Sequence, residues 1–365
     1  MKVRHVLGIS GGKDSAALAI YMKTRYPNLD IEYYTCDTGK ELNETYQLIE
    51  RLEGLLGKKI IQLRAAENSP EDPFDHYLKM YGGFLPSSMA RWCTKKLKLE
   101  PFERFVSDDP VISYVGIRGD EDREGYISKK STIQSIFPFR KNIWSEDVVN
   151  KAFTNNNREC LLDIYQSLDL VNRSQRFEDL LRQSIDPSFP LEQKLHRLLD
   201  LEVKDFNQLV FHWLQTTGYP LATESYFPLT DNDEVLVRGD IFRLLEESGV
   251  GTPAYYHKVP FEIEGKTGHY SRSRSGCYFC FFQQKIEWVW LYEQHPDRFQ
   301  MAVEYEKDGY TWNQEERLED LIKPERMQQI KEEFIKKNAN SDPKSPYLLD
   351  VLADEEGVGC AACFI

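Results

Sequence analysis

The sequence predicts an α/β fold: a parallel sheet with helices on both faces, carrying a helical insertion and a C-terminal helical extension. Three observations predict it. Four short runs rich in apolar, β-branched or aromatic residues occupy 3–9, 31–36, 59–63 and 111–116, and helical patterns at 16–26, 41–56 and 91–106 lie between them. Such alternation is the signature of parallel strands joined by crossover helices. A glycine-containing turn, Ser10-Gly11-Gly12-Lys13-Asp14-Ser15, joins the first run to its helix. From about 144 to 228 the apolar period changes to that of a helix and stays there.

The first turn has the chemistry of an anion cradle. Two adjacent glycines let backbone approach a phosphate, the following helix N-terminus offers free N–H groups, and Ser10, Lys13 and Ser15 add donors. The Walker A frame fails, because only three residues separate Gly8 from Gly12-Lys13 and Asp14 occupies the place of the magnesium-binding hydroxyl. A plain Gly/Ser turn is the competing reading, opposed by the strand before, the helix after and the Lys-Asp-Ser within.

A ligand of such a sheet sits outside the carboxyl ends of its strands. Three more clusters fall at those ends: Cys36-Asp37-Thr38-Gly39, Arg64-Ala65-Ala66 and Gly116-Ile117-Arg118-Gly119-Asp120. With the first turn they are expected to converge on one nucleotide. Each has an ordinary alternative, since Asp-Thr-Gly alone is a turn and 120–124 alone is a solvated charge run.

In the insertion, Leu161, Leu162, Tyr165 and Leu168, then Leu195, Leu198 and Leu199, then Leu209, Phe211, Trp213 and Leu214 mark amphipathic helices. His196 and His212 read there as packed or surface residues. Further helices are expected at 240–249 and 327–337, with a linker at 338–346, and no internal repeat is evident. The expected division is 1–143 for the nucleotide-binding α/β unit, 144–228 for the insertion, 229–300 for a Cys-x-x-Cys segment completing the site, and 301–365 for C-terminal helices and a cysteine tail.

The net charge of −13 repels a nucleic-acid backbone, so a local patch or a companion protein must overcome it. No signal core and no apolar run approaching the ~20 residues of a membrane span is present, so a cytoplasmic protein without membrane contact is expected. Seven cysteines, an odd number, point to metal, redox chemistry or buried thiols rather than to a disulfide framework.

These residues resemble the phosphoadenosine phosphosulfate reductase family of the PP-loop ATP pyrophosphatase superfamily. The resemblance runs through 10–15, Asp37-Thr38-Gly39 with Glu44-Thr45-Tyr46, Arg91-Trp92-Cys93-Thr94 with Lys96 and Lys98, Gly116-Ile117-Arg118 with Asp120, Glu121 and Arg123, and Pro138-Phe139 with Trp144, Glu146 and Asp147. It resumes at Gly276-Cys277-Tyr278-Phe279-Cys280 and covers about two-thirds of the chain. Among the members, the sulfuration subunits of Dnd-type DNA phosphorothioation are the most similar.

The resemblance implies an adenine nucleotide alpha hydrolase-like, Rossmann-like fold and a site for ATP with Mg²⁺. Ser10, Gly11, Gly12, Lys13, Asp14 and Ser15 would then hold phosphate oxygens, with Asp14 near magnesium. Asp37 and Thr38 would lie by the nucleoside, and Gly116 and Arg118 would border the same pocket. Lys13, Asp14, Arg118 and Arg123 would form the catalytic set, the two arginines facing the departing phosphate or sulfate. The implied activity is cleavage of ATP at its α-phosphate, pyrophosphate release and sulfur transfer to nucleic acid, with a cysteine desulfurase and nucleic-acid-binding companion proteins as partners.

In the iron–sulfur members, cysteines at the places of Cys93, Cys277 and Cys280 hold a [4Fe–4S] cluster. Here Trp92 stands where those reductases have a second cysteine, which leaves three thiolates. A further Cys-x-x-Cys, Cys360 to Cys363, ends the sequence. It has three competing readings: a persulfide or resolving thiol, the fourth cluster ligand, or half of a four-thiolate Zn²⁺ site with Cys277 and Cys280. Cys36 is expected to pack at the nucleotide edge and Cys160 to be a core or surface thiol. His269 to Arg274 and the aromatics Phe281, Phe282, Trp288 and Trp290, with Lys285, form a basic and aromatic run around the motif. That run suits a phosphate backbone, although the tryptophans equally suit packing beneath a helix. Two rivals remain: a sulfonucleotide reductase, and a nucleotide-sensing module of a defence complex that binds ATP without turnover.

Overall fold

A computed structural model of the chain describes residues 2–340 apart from 122–127, 129, 171–172, 308 and 314, so Arg123, Cys360 and Cys363 lie outside the described residues. Strands β1 (Arg4–Gly8), β2 (Ile31–Asp37), β3 (Ile60–Arg64), β4 (Val111–Tyr114) and β5 (Ile133–Ile136) form one parallel sheet of order β3-β2-β1-β4-β5. His5 lies opposite Ile31 on one side and Ile112 on the other, so β1 is flanked on both edges and its C-terminal turn emerges mid-sheet.

The pleat of β1 divides the core. Val6 points to the face where Tyr34, Phe102 and Val106 pack, whereas Leu7 joins the opposite cluster with Ala17, Leu48 and Ile112. Helices α1 (Lys13–Arg25) and α2 (Asn43–Leu56) cover the Leu7 side. In α2, Leu48, Leu52 and Leu56 repeat every four residues on the buried face, and the helix stops at Gly57, whose left-handed φ of 64° suits a residue without a Cβ. Helix α1 is buried from Lys13 through Met22 because the helix at Arg238–Glu247 packs on its other side.

The helix expected at 91–106 is interrupted. After α3 (Pro73–Met80), helix α4 (Trp92–Thr94) runs into a π-helical turn (Lys95–Leu99) and then α5 (Glu100–Val106). Pro101 lacks an N–H and would crowd the carbonyl four residues back, and the wider π turn just before it relieves that conflict. Strand β5 was not expected, since Gln134 and Ser135 break its apolar pattern. All four of its residues are buried, Ile133 with Val6 and Phe102 on one face and Ile136 with Leu7 and the insertion on the other. Gln134 Oε1 accepts the Leu221 N–H of the insertion at 3.2 Å.

The insertion carries α6 (Glu146–Ala152), α7 (Arg158–Ser167), α8 (Gln175–Arg182), α9 (Leu191–Leu201) and α10 (Val203–Leu214). Its Leu161, Tyr165, Phe177, Leu198 and Leu209 belong to the same apolar cluster as Leu7 and Ala17, so it thickens the core of the sheet. His196 is exposed and His212 half-buried, hydrogen-bonding Gln215.

Lys194 is 1% exposed and donates to the Leu181 and Gln183 carbonyls at 3.0 and 2.7 Å. Burial, with the Arg158 charge, pushes its pKa down to about 8. The unfolded chain therefore binds more protons than the native one between about pH 8 and its ordinary value of 10.5, and stability rises with pH across that window. The gain is up to about 3 kcal/mol at ~1.4 kcal/mol per pH unit. Urea titrations of the wild type and Lys194→Met at each pH check it, because the methionine variant lacks this slope while keeping every tyrosine contribution.

Beyond the insertion, α11 (Arg238–Glu247) packs on α1, starting two residues before the expected position. An unexpected hairpin follows, β6 (Val259–Ile263) and β7 (Lys266–Tyr270), turned by Glu264 and Gly265 at φ 47° and 74°, the paired left-handed conformation of a tight hairpin. Helices α12 (Lys285–Gln294), α13 (Pro296–Glu304), α14 (Leu318–Leu321) and α15 (Pro324–Asn340) complete the described chain. The linker expected from 338 is thus helical as far as Asn340, and α15 begins at a proline, which suits a helix's first turn. These helices bury Trp288, Trp290 and Trp312 in a second core with Phe74, Trp92 and Phe279. Trp288 and Trp290 are thus packing residues.

Candidate nucleotide site

The turn after β1 is held by its own hydroxyls. The Ser10 N–H donates to Ser15 Oγ at 3.1 Å, and Ser15 Oγ donates to the Gly12 carbonyl at 3.2 Å. Gly11 has φ +75°, and a Cβ there would fall 2.2 Å from Thr45 Cγ2. From the far side, the Tyr255 hydroxyl donates to the Gly11 carbonyl at 2.8 Å. Gly12 immediately precedes α1, so the orphan N–H groups and dipole of that helix face the turn.

Behind the turn lies a buried ionic cluster. Asp14 accepts from Lys13 Nζ at 3.1 Å on Oδ2 and from Arg118 Nη1 at 2.9 Å on Oδ1. Arg118, 2% exposed, also meets Glu121 Oε1 at 2.8 Å and donates through Nε to Asp120 Oδ1 at 2.9 Å. The spacing that brings β4 to α1 needs a glycine at Gly116, where a Cβ would lie 3.0 Å from the Asp14 carbonyl oxygen. Among the described residues Lys13 and Arg118 thus meet Asp14, Asp120 and Glu121, and Arg140 donates to the Arg118 and Glu121 carbonyls at 3.4 and 2.9 Å. A divalent cation arriving with a phosphate chain would add positive charge beside these carboxylates. A hard carboxylate such as Asp14, with phosphate oxygens and water, suits Mg²⁺.

At the end of β2, Asp37 Oδ1 accepts the Gly39 N–H at 2.9 Å and the Tyr46 hydroxyl at 3.0 Å. Thr38 Oγ1 donates to Glu41 Oε1 at 2.6 Å and lies 3.2 Å from Cys277 Sγ. Burial raises the Glu41 carboxyl above the usual carboxylate range, the Asp37 charge adds to it, and the Thr38 and Tyr46 hydrogen bonds oppose it.

The Cys-x-x-Cys segment, more than 230 residues away in sequence, is seated on both loops. Cys277 forms an antiparallel bridge with Glu41, and the Tyr278 N–H donates to the Lys40 carbonyl at 2.8 Å. A Cβ on Gly12 would fall 2.6 Å from Ser275 Oγ. Between the loops remains a cavity of about 20 Å³ lined by Ser10, Asp37, Tyr46, Lys98 and Gly276 among others. Burial, assisted by Glu41, raises the Cys277 thiol well above its ordinary value, and burial also raises Cys280, whose sulfur accepts the Phe282 N–H.

Cys93 lies close enough to Cys277 to add to that upward shift. Among the described residues, however, no group of three or more His, Cys, Asp or Glu side chains is arranged to hold a metal ion. Cys360 and Cys363, which the fourth-ligand and zinc readings call on, lie outside the described residues. Cys36 packs at the sheet end with Sγ 3.7 Å from the Lys98 carbonyl, its thiol pushed up to about 12 by burial, and Cys160 is exposed.

The structure therefore brings together the 10–15 turn, Asp37, Thr38, Gly116, Arg118 and Cys277. The 64–66 cluster does not join them. Arg64 pairs with Asp72 at 3.2 Å and lines a separate cleft of about 950 Å³ with Glu67, His76 and Arg104, because β3 is the edge strand and its end opens sideways. Tyr255, Glu41 and Ser275 escaped sequence reasoning. Glu41 stands only three residues beyond Thr38, a spacing that signals a turn hydrogen bond, whereas nothing local marks Tyr255 or Ser275.

Among the described residues no helix is long and apolar enough to cross a membrane. A relative, an uncharacterized protein of Methanocaldococcus jannaschii, is 36% identical over 146 residues, 36% of this chain and 28% of that protein. The match thus spans little more than a quarter of the relative's length. Residues 4–143, the stretch that holds the sheet, the phosphate turn and Arg118, match the phosphoadenosine phosphosulfate reductase domain and are similar to that family of nucleotide-dependent, sulfur-related enzymes.

Proposed function

We propose that this chain is an ATP-dependent sulfur-transfer enzyme of the cytoplasm that sulfurates nucleic acid, as in DNA phosphorothioation. The carrying observation is the seating of the Cys277 segment on the phosphate turn, which sets a thiol beside the nucleotide loop. In this reading an acceptor oxygen attacks the α-phosphorus of ATP, the bond to the β-phosphate breaks, and pyrophosphate leaves with the electron pair. The terminal sulfur of a persulfide, delivered by a cysteine desulfurase, then attacks the adenylated acceptor and AMP leaves with the electron pair. A second thiol cleaves the resulting S–S bond, leaving sulfur on the acceptor and itself oxidised to a disulfide, while companion proteins present the strand. Magnesium, bound with the nucleotide near Asp14, supplies charge neutralisation.

The chain's own groups supply the rest. The α1 N-terminus, Ser10 and Ser15 orient the phosphates, Lys13, Arg118 and Arg123 stabilise charge on the leaving pyrophosphate, and Asp37 and Thr38 border the nucleoside. A [4Fe–4S] cluster on Cys93, Cys277 and Cys280 belongs to the proposal only as a metal content to be measured.

The test is pyrophosphate release from Mg–ATP by protein purified without oxygen, with iron, zinc and acid-labile sulfide assayed on the same sample. Release that falls by about 10²–10³ in Lys13→Ala, the range for removing a transition-state donor, is the expected result. Tight ATP binding without pyrophosphate release, even with a strand and a sulfur donor present, overturns the enzyme reading in favour of nucleotide sensing. A trapped thiosulfonate from a sulfated adenylate would instead identify a reductase.

A further inference from the structure

A further cavity, of about 230 Å³, is lined by Tyr256, whose ring faces Lys13 Nζ and whose neighbour Tyr255 reaches the phosphate turn. Lys258, His269, Ser271 and Arg272 line it. The hairpin register explains the first three. Pro260 pairs with His269 and Val259 with Tyr270, so the next position puts Lys258 beside Ser271, and these side chains share the face opposite the buried Tyr270. None of Lys258, His269 or Ser271 has a side-chain hydrogen bond or ion pair among the described residues.

Arg272 is the telling member. It is 4% exposed, its Nη2 donates to the Cys277 carbonyl at 3.0 Å, and its Nε and Nη1 have no hydrogen-bond partner among the described residues. No carboxylate pairs with it among the described residues. A buried guanidinium with open donors is a costly arrangement that an anion relieves. The one carboxylate lining the cavity, Glu287, is already engaged by the Ser273 N–H and hydroxyl at 2.7 and 2.9 Å and by the Gln284 N–H at 2.8 Å. In a chain of net charge −13, this is a local cationic recess.

We infer that this cavity is a phosphate-binding site, separate from the nucleotide turn, in which Arg272, Lys258, His269 and Ser271 take the oxygens of a phosphodiester. The position favours a nucleic-acid strand as its source. Lys13 Nζ stands 5.3 Å from the centre of the Tyr256 ring, and Tyr256 also lines the cavity, so one ring borders both the nucleotide loop and this recess. As an acceptor site the inference rests on the sulfur-transfer reading, while the site itself does not.

The test is fluorescence anisotropy of a 5′-fluorescein-labelled ten-nucleotide thymidine strand with the full chain at several salt concentrations, and competition by inorganic phosphate. The double variant Lys258→Ala/His269→Ala, both on the exposed hairpin face, is expected to bind the strand at least about tenfold more weakly, as for a lost hydrogen bond to a charged group. Its salt slope should fall by about one. ATP binding should be unchanged. Arg272→Gln should lose more, and the hairpin variant keeps the test sound if Arg272→Gln fails to fold. Phosphate binding that the same variants weaken, without strand binding, supports the site and overturns the strand as its source. Strand binding equal in wild type and variants, or no binding of either probe, overturns the site. If the variants weaken strand binding while pyrophosphate is never released from Mg–ATP, the site holds and the sulfur-transfer reading fails.

Discussion

Replacing Arg118 by alanine is expected to lower the unfolding free energy by about 3–5 kcal/mol, the range for breaking a buried ion pair from one side. The guanidinium is almost wholly enclosed and meets Asp14, Asp120 and Glu121 at once. Its removal leaves Asp14, among the described residues, paired with Lys13, and leaves Glu121, whose side chain is 8% exposed, without this counter-charge. The loss of a positive charge beside the phosphate turn would also disfavour a polyphosphate, so Mg–ATP binding should fall with stability. Arg118→Lys is expected to recover only part of either, because an ammonium cannot span three carboxylates with a fixed planar fork. Urea unfolding and calorimetric titration with Mg–ATP check both, an unchanged urea m-value marking a pure stability effect. Wild-type stability in Arg118→Ala would mean that the cluster is solvated and that the carboxylates do not depend on the arginine.

Gly11→Ala is expected to weaken nucleotide binding by about 10²-fold, the scale of a roughly 1 Å displacement in a positioned site. Two separate effects contribute. The residue sits at φ +75°, where an L side chain is strained, and its Cβ would overlap the Thr45 methyl at 2.2 Å. Thr45 is buried in the first turn of α2, so the phosphate turn must give way instead. The double variant Gly11→Ala/Thr45→Ser removes the methyl and keeps the strain, and should recover most but not all of the lost affinity. Equal losses in single and double variants would assign the whole effect to the backbone.

The sheet was legible because β1, β2 and β4 carry apolar side chains that are buried on both faces, and β3, though half exposed at the sheet edge, still reads Ile-Ile-Gln-Leu, so no tertiary information is needed to see them. Strand β5 was hidden because its polar Gln134 and Ser135 are buried by tertiary packing, Gln134 against the insertion, which their own polarity does not announce. The π turn was hidden because Pro101 reads equally as a helix's first turn and as a break inside one. In the site, the turn at 10–15 and the ends of β2 and β4 were legible from spacing alone. Tyr255 and Ser275 were not, since their contacts with Gly11 and Gly12 depend on how the C-terminal half folds back over the sheet. Arg64 misled for the converse reason: its place after a strand is right, but an edge strand's end turns away from its neighbours.

The bond between Thr38 and Cys277 spans 239 positions of sequence. At the ~5–20 residues per second of translation, roughly ten to fifty seconds separate the emergence of the two ends of that contact from the ribosome. During that interval the nascent α/β half has its phosphate turn but no Ser275 against Gly12, no Cys277 beside Thr38 and no Tyr255 under Gly11. The thiol and the turn therefore meet only after synthesis has passed the hairpin and the Cys-x-x-Cys, and an mRNA truncated in the insertion yields a chain that lacks the completed pocket.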